Sequence, residues 1–207
     1  LSASHNRPGH SDSLFHFKEF HLMAQTRIAV IVGSLRKDSF NHKLALALAH
    51  LAPSDFTFET LRIDDLPLYN QDDDGNQAAQ VKRLKSEVAA AQGVLFVTPE
   101  YNRSIPGVLK NAIDHASRPY GQSVWAGKPT GVLGISVGAI GTALAQQHLR
   151  NILAYLDAPT MGGPEVFLQA KEGLFDDKGH IGNEGTQKFL QGWMDKYVAW
   201  VKAHSAA

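Results

Sequence analysis

The sequence predicts a doubly wound α/β domain, with five parallel strands in the order 2-1-3-4-5 and helices on both faces of the sheet. Three observations predict it. Strand-like and helix-like segments alternate along the chain without an internal repeat. Val94-Leu95-Phe96-Val97 is an unbroken apolar run, as expected of a central parallel strand buried on both faces. The segments after the first, third and fourth strands are rich in glycine, proline and polar side chains, as loops gathered at a topological switch point would be.

The elements follow in order. Arg27 to Val32 is apolar and β-branched and stops at Gly33, which marks the first strand. A tight polar turn leads into the Ala/Leu pattern of Lys43 to Leu51, the first helix. Phe56 to Arg62 alternates apolar and polar side chains and reads as the second strand. Asp64 to Asn70 breaks the pattern, and Gln71 to Asn76 is an acidic loop. Val81, Leu84, Val88 and Ala91 recur at helical spacing between Ala78 and Gln92, and Gly93 ends that helix. The third strand, Val94 to Thr98, gives way to Pro99-Glu100-Tyr101-Asn102-Arg103-Ser104-Ile105-Pro106-Gly107 and a helix from Val108 to Ala116. Thr130 to Ser136 is the fourth strand; Gly138 and Gly141 open the next helix, which carries Leu144, His148, Ile152 and Leu156. A short fifth strand falls near Glu165 to Leu168, and the last helix spans Glu184 to Ala203.

Composition narrows the function. The 207 residues suit one domain with a sizeable core, and 43% apolar with 19% charged residues is ordinary for a globular protein. Twenty basic and twenty acidic side chains cancel, which removes any general attraction to nucleic acid or an anionic membrane. No stretch approaches the roughly 20 apolar residues of a membrane span. The absence of cysteine excludes disulfides, thiolate metal sites and a cysteine nucleophile, and fits a cytoplasmic location. Residues 1–22 are Ser/His-rich and aperiodic, with His5, His10, His16 and His21, and read as a disordered or upstream-translated tail ahead of Met23. Residues 23–207 form the domain.

The turn Gly33-Ser34-Leu35-Arg36-Lys37-Asp38-Ser39-Phe40-Asn41 carries the most chemistry. A strand, a polar turn and a helix start can hold a phosphate on backbone N–H groups, with Ser34, Ser39 and Asn41 as neutral donors and Arg36 as a charged fork. The turn lacks the second glycine and lysine of a triphosphate loop, and the three glycines of a dinucleotide fingerprint. A plain helix cap by Ser39 explains the same residues equally well.

Three segments together resemble the NADPH-dependent FMN reductase family, including its quinone and chromate reductases: the turn above, Pro99-Glu100-Tyr101-Asn102 continuing through Ser104 to Asp114, and the loop Ser136 to Gly141. The resemblance spans about Thr26 to Lys202 and implies a flavodoxin-like fold. It implies that Ser34, Arg36, Ser39 and Asn41 hold the FMN phosphate. Pro99, Glu100, Tyr101 and Asn102 would line the ribityl and isoalloxazine, largely through backbone groups. Ser136 and Gly138 would close the other side of the ring. Arg103 stands where the family has a small residue, and His115 where it has tryptophan.

The implied activity is an FMN-dependent NAD(P)H oxidoreductase working by ping-pong. Hydride passes from NADPH or NADH to flavin N5, and electrons then go to quinones or similar small acceptors such as chromate, azo or nitro compounds. The cofactor carries this chemistry, so no protein nucleophile and no metal is expected. A homodimer or homotetramer is the expected assembly. Two rivals remain. A non-enzymatic flavodoxin-like electron carrier shares the fold. Gly134-Ile135-Ser136-Val137-Gly138 also matches a nucleophile elbow, with Asp157 and His180 following in triad order. Asp72 to Asp74 reads as a solvated loop, His148 as a packed or interface histidine, and Trp193, Tyr197 and Trp200 as core or subunit contacts.

Overall fold

The computed structural model describes residues 25–205, so the expectation of a tail over residues 1–22 lies outside the described residues. Five parallel strands form one sheet in the order β2-β1-β3-β4-β5: β1 (Thr26–Val32), β2 (Phe56–Thr60), β3 (Gly93–Val97), β4 (Thr130–Ser136) and β5 (Phe167–Gln169). The helices between and after them are α1 (Phe40–Leu51), α2 (Ala79–Ala90), α3 (Gly107–Ala116), α4 (Ala143–Tyr155) and α5 (Glu184–His204). Both the order and the alternation match the sequence reading.

Successive residues of a strand point to opposite faces, and the central strands divide accordingly. Ile28, Val30, Leu95, Val97 and Leu133 pack with Leu44 and Leu48 of α1 and Trp193, Tyr197 and Val201 of α5. Ala29, Ile31, Val94, Phe96 and Val132 pack with Leu84 and Val88 of α2, Leu109 and Ile113 of α3, and Leu149 and Leu153 of α4. Each fully buried Leu, Ile, Val or Phe contributes about 1.5–3 kcal/mol relative to an exposed one. Both faces of the sheet are therefore well held, and all five β3 residues are buried. Trp193 and Tyr197 are core residues, stacked 5.3 Å apart between ring centres. Trp200 is only partly buried and donates to the Pro159 carbonyl at 3.2 Å.

The structure adjusts some boundaries. β2 ends at Thr60 rather than Arg62: the Leu61 N–H still donates to the Val30 carbonyl at 2.9 Å, and the Arg62 side chain bonds Asp64 at 3.2 Å on the surface. The acidic segment Gln71–Asn76 is a 3₁₀ helix capped by Asn70, whose side chain accepts from the Asp72 N–H at 3.2 Å. Among the described residues no helix is long and apolar enough to cross a membrane, and no three His, Asp or Glu side chains converge as a metal site.

Candidate active site at the switch point

In the order 2-1-3-4-5 the chain reverses direction between β1 and β3, and the loops after β1, β3 and β4 meet at the carboxyl edge there. The first loop is shaped by its hydroxyls. Ser39 is buried and caps α1, its Oγ accepting from the Asn41 N–H at 3.2 Å. Ser34 is also buried; its Oγ accepts from the Arg36 N–H at 3.4 Å. His42 Nε2 donates to the Ser34 carbonyl at 2.9 Å. Among the described residues the backbone N–H groups of Lys37, Asp38 and Phe40 have no acceptor. They lie at the positive end of the α1 dipole. The Arg36 guanidinium arches over the turn, 2.5 Å from the Asp38 carbonyl and 5.2 Å from the centre of the Phe40 ring.

Asn41 departs from the sequence reading. Its side chain is buried and bonds the Ile135 backbone twice, donating to the carbonyl at 2.9 Å and accepting from the N–H at 3.1 Å. The sequence reading offers this amide to a ligand; in the structure it ties the start of α1 to the end of β4. A buried amide facing a strand end finds two partners there, and backbone satisfaction takes precedence over solvent.

The second loop is a hairpin turn. Tyr101 and Ser104 exchange two backbone hydrogen bonds of 3.0 Å, and Asn102 and Arg103 between them have φ of 51° and 66°. Two left-handed residues make this a type I′ turn, which favours Asn followed by Gly. Arg103 thus occupies a position suited to glycine, the physical content of the small residue expected there. Pro99 is buried beneath the turn, while Tyr101 and Asn102 face out. The Glu100 carboxylate turns away from the open crevice, toward the start of α4.

The third loop disposes of the hydrolase reading. The Ser136 hydroxyl donates to the Gly141 carbonyl, with the Gly138 carbonyl 3.4 Å away. His180 instead pairs with Asp176 at 2.8 Å; its ring and N–H, with the Lys178 N–H, hold that carboxyl down to about 2. Asp157 lies at the opposite edge of the sheet, where its carbonyl accepts from Gly127 ahead of β4. Seven strand residues at about 3.3 Å each separate that edge from Ser136. Gly134, the first glycine of the elbow motif, has a packing role. A Cβ there would sit 2.0 Å from the Thr98 carbonyl and 2.4 Å from Thr142 Oγ1. A Cβ at Gly138 would meet nothing closer than 3.8 Å, so that backbone stands open.

The three loops also carry exposed apolar surface. Leu35, Tyr101, Val137 and Ile140 are 56%, 50%, 74% and 48% exposed, while Leu68, Tyr120 and Tyr155 are more exposed still. All four sit on loops that follow β1, β3 and β4 at the carboxyl end of the sheet. Cavities of about 250 Å³ beside Ser34, Leu35 and His42, and about 400 Å³ beside Phe40, Ile135 and Val137, flank the α1 start. The sequence reading missed His42, Thr98 and Thr142. His42 had a usable signal, a polar side chain in the first turn of a helix directly after the polar turn Ser34 to Ser39. Thr98 and Thr142 had none, since they meet only through the fold.

A turn with open N–H groups at a helix start, on a doubly wound sheet of order 2-1-3-4-5, places the protein in the flavodoxin-like class. The chain belongs to the NADPH-dependent FMN reductase family, whose model matches residues 26–173. It is thus an enzyme, an FMN-dependent oxidoreductase. It is 58% identical over 176 residues to a 2-hydroxy-1,4-benzoquinone reductase of a Burkholderia species, covering 85% of this chain and 96% of that one. A quinone reductase of Pseudomonas putida is 50% identical over 180 residues, covering 86% and 96%. Among solved structures, the flavoenzyme NAD(P)H:(acceptor) oxidoreductase FerB of Paracoccus denitrificans superposes with a TM-score of 0.83 at 47% identity, covering 86% of this chain and 98% of FerB.

Proposed function

We propose that this chain is a cytoplasmic NAD(P)H:quinone oxidoreductase that holds FMN at the switch point. The observation that carries the reading is the pairing of donors with apolar surface on one edge. Free N–H groups and Arg36 stand at the α1 start, and Leu35, Tyr101, Val137 and Ile140 are exposed beside them. A phosphate with a flat ring attached needs both. When bound, FMN supplies two-electron chemistry, accepting hydride from a nicotinamide and returning electrons to an acceptor.

The residues divide the work. Ser39 and Ser34 fix the turn, the N–H groups of Lys37, Asp38 and Phe40 receive the phosphate, and Arg36 adds a charged contact. Pro99, Tyr101 and Asn102 offer backbone and apolar surface to the ring from one side, and Ser136 and Gly138 from the other. Asn41 keeps the two sides in register through Ile135. Donor and acceptor use the same exposed crevice in turn, which gives ping-pong kinetics, and a second copy of the chain packs over the crevice edge. The relatives named as benzoquinone and quinone reductases support a quinone as acceptor.

Purified protein titrated with FMN, then assayed for NADH and NADPH oxidation with a benzoquinone as sole acceptor, tests this. Tight FMN uptake with turnover in the absence of any protein partner is expected. Uptake without turnover would move the chain to the electron carriers, and folded protein that ignores FMN would refute the site.

A further inference from the structure

Glu100 is drawn by sequence into the cofactor loop, yet its side chain serves a helix. The carboxylate is only 10% exposed, and Oε2 accepts from the backbone N–H groups of Leu144 and Ala145 at 3.0 and 3.1 Å. Those are the second and third residues of α4, and Thr142 provides that helix with no side-chain cap. A carboxylate at this place closes two open N–H groups and meets the positive end of the helix dipole. The cap comes from a loop 44 residues earlier, not from the segment entering the helix.

A second contact fastens the same hairpin. His148, one turn further along α4, meets Ser104 Oγ through Nδ1 at 3.0 Å. The hairpin Tyr101 to Ser104 is therefore fixed to α4 on both sides of its left-handed turn. Its other neighbour, Arg103, lies 3.9 Å from Glu100 Oε1 and is mostly exposed. Ser136 to Gly141, the loop that opens α4, is held in turn by the Ser136 hydroxyl on the Gly141 carbonyl. Glu100 is thus the bond between the two loops that would flank the ring.

We infer that Glu100 is a positioning residue, which sets the gap between the β3 and β4 loops by capping α4 from across the site. The inference rests on the FMN reading above. It assigns the side chain to α4 and leaves the ring to backbone groups.

The test compares Glu100→Ala, Glu100→Gln and Asn183→Ala. Asn183 caps α5 by accepting from the Thr186 N–H at 2.8 Å, so its loss removes a helix cap outside the three loops. Amide hydrogen exchange in the FMN-free protein reads the cap, and FMN titration by flavin fluorescence reads the gap. In Glu100→Ala, exchange at Leu144 and Ala145 should quicken roughly tenfold or more, and FMN should bind about 10–100-fold more weakly. Glu100→Gln keeps an acceptor oxygen and should recover most of both effects. Asn183→Ala should lower stability and leave FMN affinity within about twofold of wild type, as independent sites do. Unchanged exchange at Leu144 and Ala145 in Glu100→Ala would overturn the cap. Faster exchange with unchanged FMN affinity, or equal weakening by Asn183→Ala, would overturn the positioning role. Wild-type protein that takes up no FMN would instead strike the functional reading, while the exchange data still judge the cap.

Discussion

Arg36→Ala separates the phosphate-holding role of this side chain from its structural one. In the ligand-free protein Arg36 makes one exposed hydrogen bond, to the Asp38 carbonyl, and one cation–π contact, on Phe40. At exposed sites each is worth about 0.5–1 kcal/mol, so the variant should lose no more than ~2 kcal/mol of stability. In the proposed site the guanidinium would meet the dianionic phosphate in a charge-assisted contact worth about 1.5–3 kcal/mol. Its removal should raise the FMN dissociation constant roughly tenfold to more than a hundredfold. Riboflavin, which has the same ring and no phosphate, supplies the control and should lose little. Arg36→Lys keeps a point charge without the fork and should fall between wild type and alanine. The difference between wild type and alanine should shrink as salt is raised, because the site is open to solvent. Fluorescence titrations with FMN and riboflavin at two salt concentrations measure all of this. Equal weakening for the two flavins would mean that Arg36 merely shapes the turn, and an unchanged FMN constant would put the phosphate elsewhere.

Three further outcomes are expected. Ser136→Ala removes a hydroxyl that braces the β4 loop, so FMN affinity should shift by about tenfold or less and quinone reduction should survive; ester hydrolysis present in wild type and absent in the variant would restore the hydrolase. Gly134→Ala forces a Cβ to within 2.0 Å of the Thr98 carbonyl, and should destabilise by about 3 kcal/mol or more in urea unfolding; a wild-type midpoint would refute that packing. Arg103→Gly relieves a φ of 66° worth about 1–2 kcal/mol to a residue with Cβ, offset by the entropy of glycine and a weak ion pair. A net gain of about 0.5–1 kcal/mol, or roughly 1–4 °C in Tm, is expected from calorimetry, and a lower Tm would show that the turn is unstrained.

The sequence carried the fold because its signals were local. Val94 to Val97 could only be a buried strand, and Ser39 ahead of an Ala/Leu run could only begin a helix. The positions of the three site loops followed once the strand order was known. What one sequence could not carry were the partnerships. Asn41 reads as a neutral donor, and Glu100 as part of a loop that lines the ring largely through its backbone, because both sit in loops rich in polar residues. Their actual partners, Ile135 and the α4 amides, are 94 and 44 residues away, and nothing in the local pattern announces them. The elbow motif left a rival open for the same reason: Gly134 answers to Thr98 and Thr142, which meet it only in the folded state.

The pair of hydrogen bonds between Asn41 and Ile135 also sets a clock for synthesis. The first loop of the site is translated early, but the strand end that secures it emerges 94 residues later. At about 5–20 residues per second, that interval is roughly 5–20 s on the ribosome. Throughout it the phosphate turn has its hydroxyls and its arginine but not the brace that fixes them against β4. On the proposed reading, a chain released before Ile135 lacks the end of β4 as well as this brace, and should fail to retain FMN.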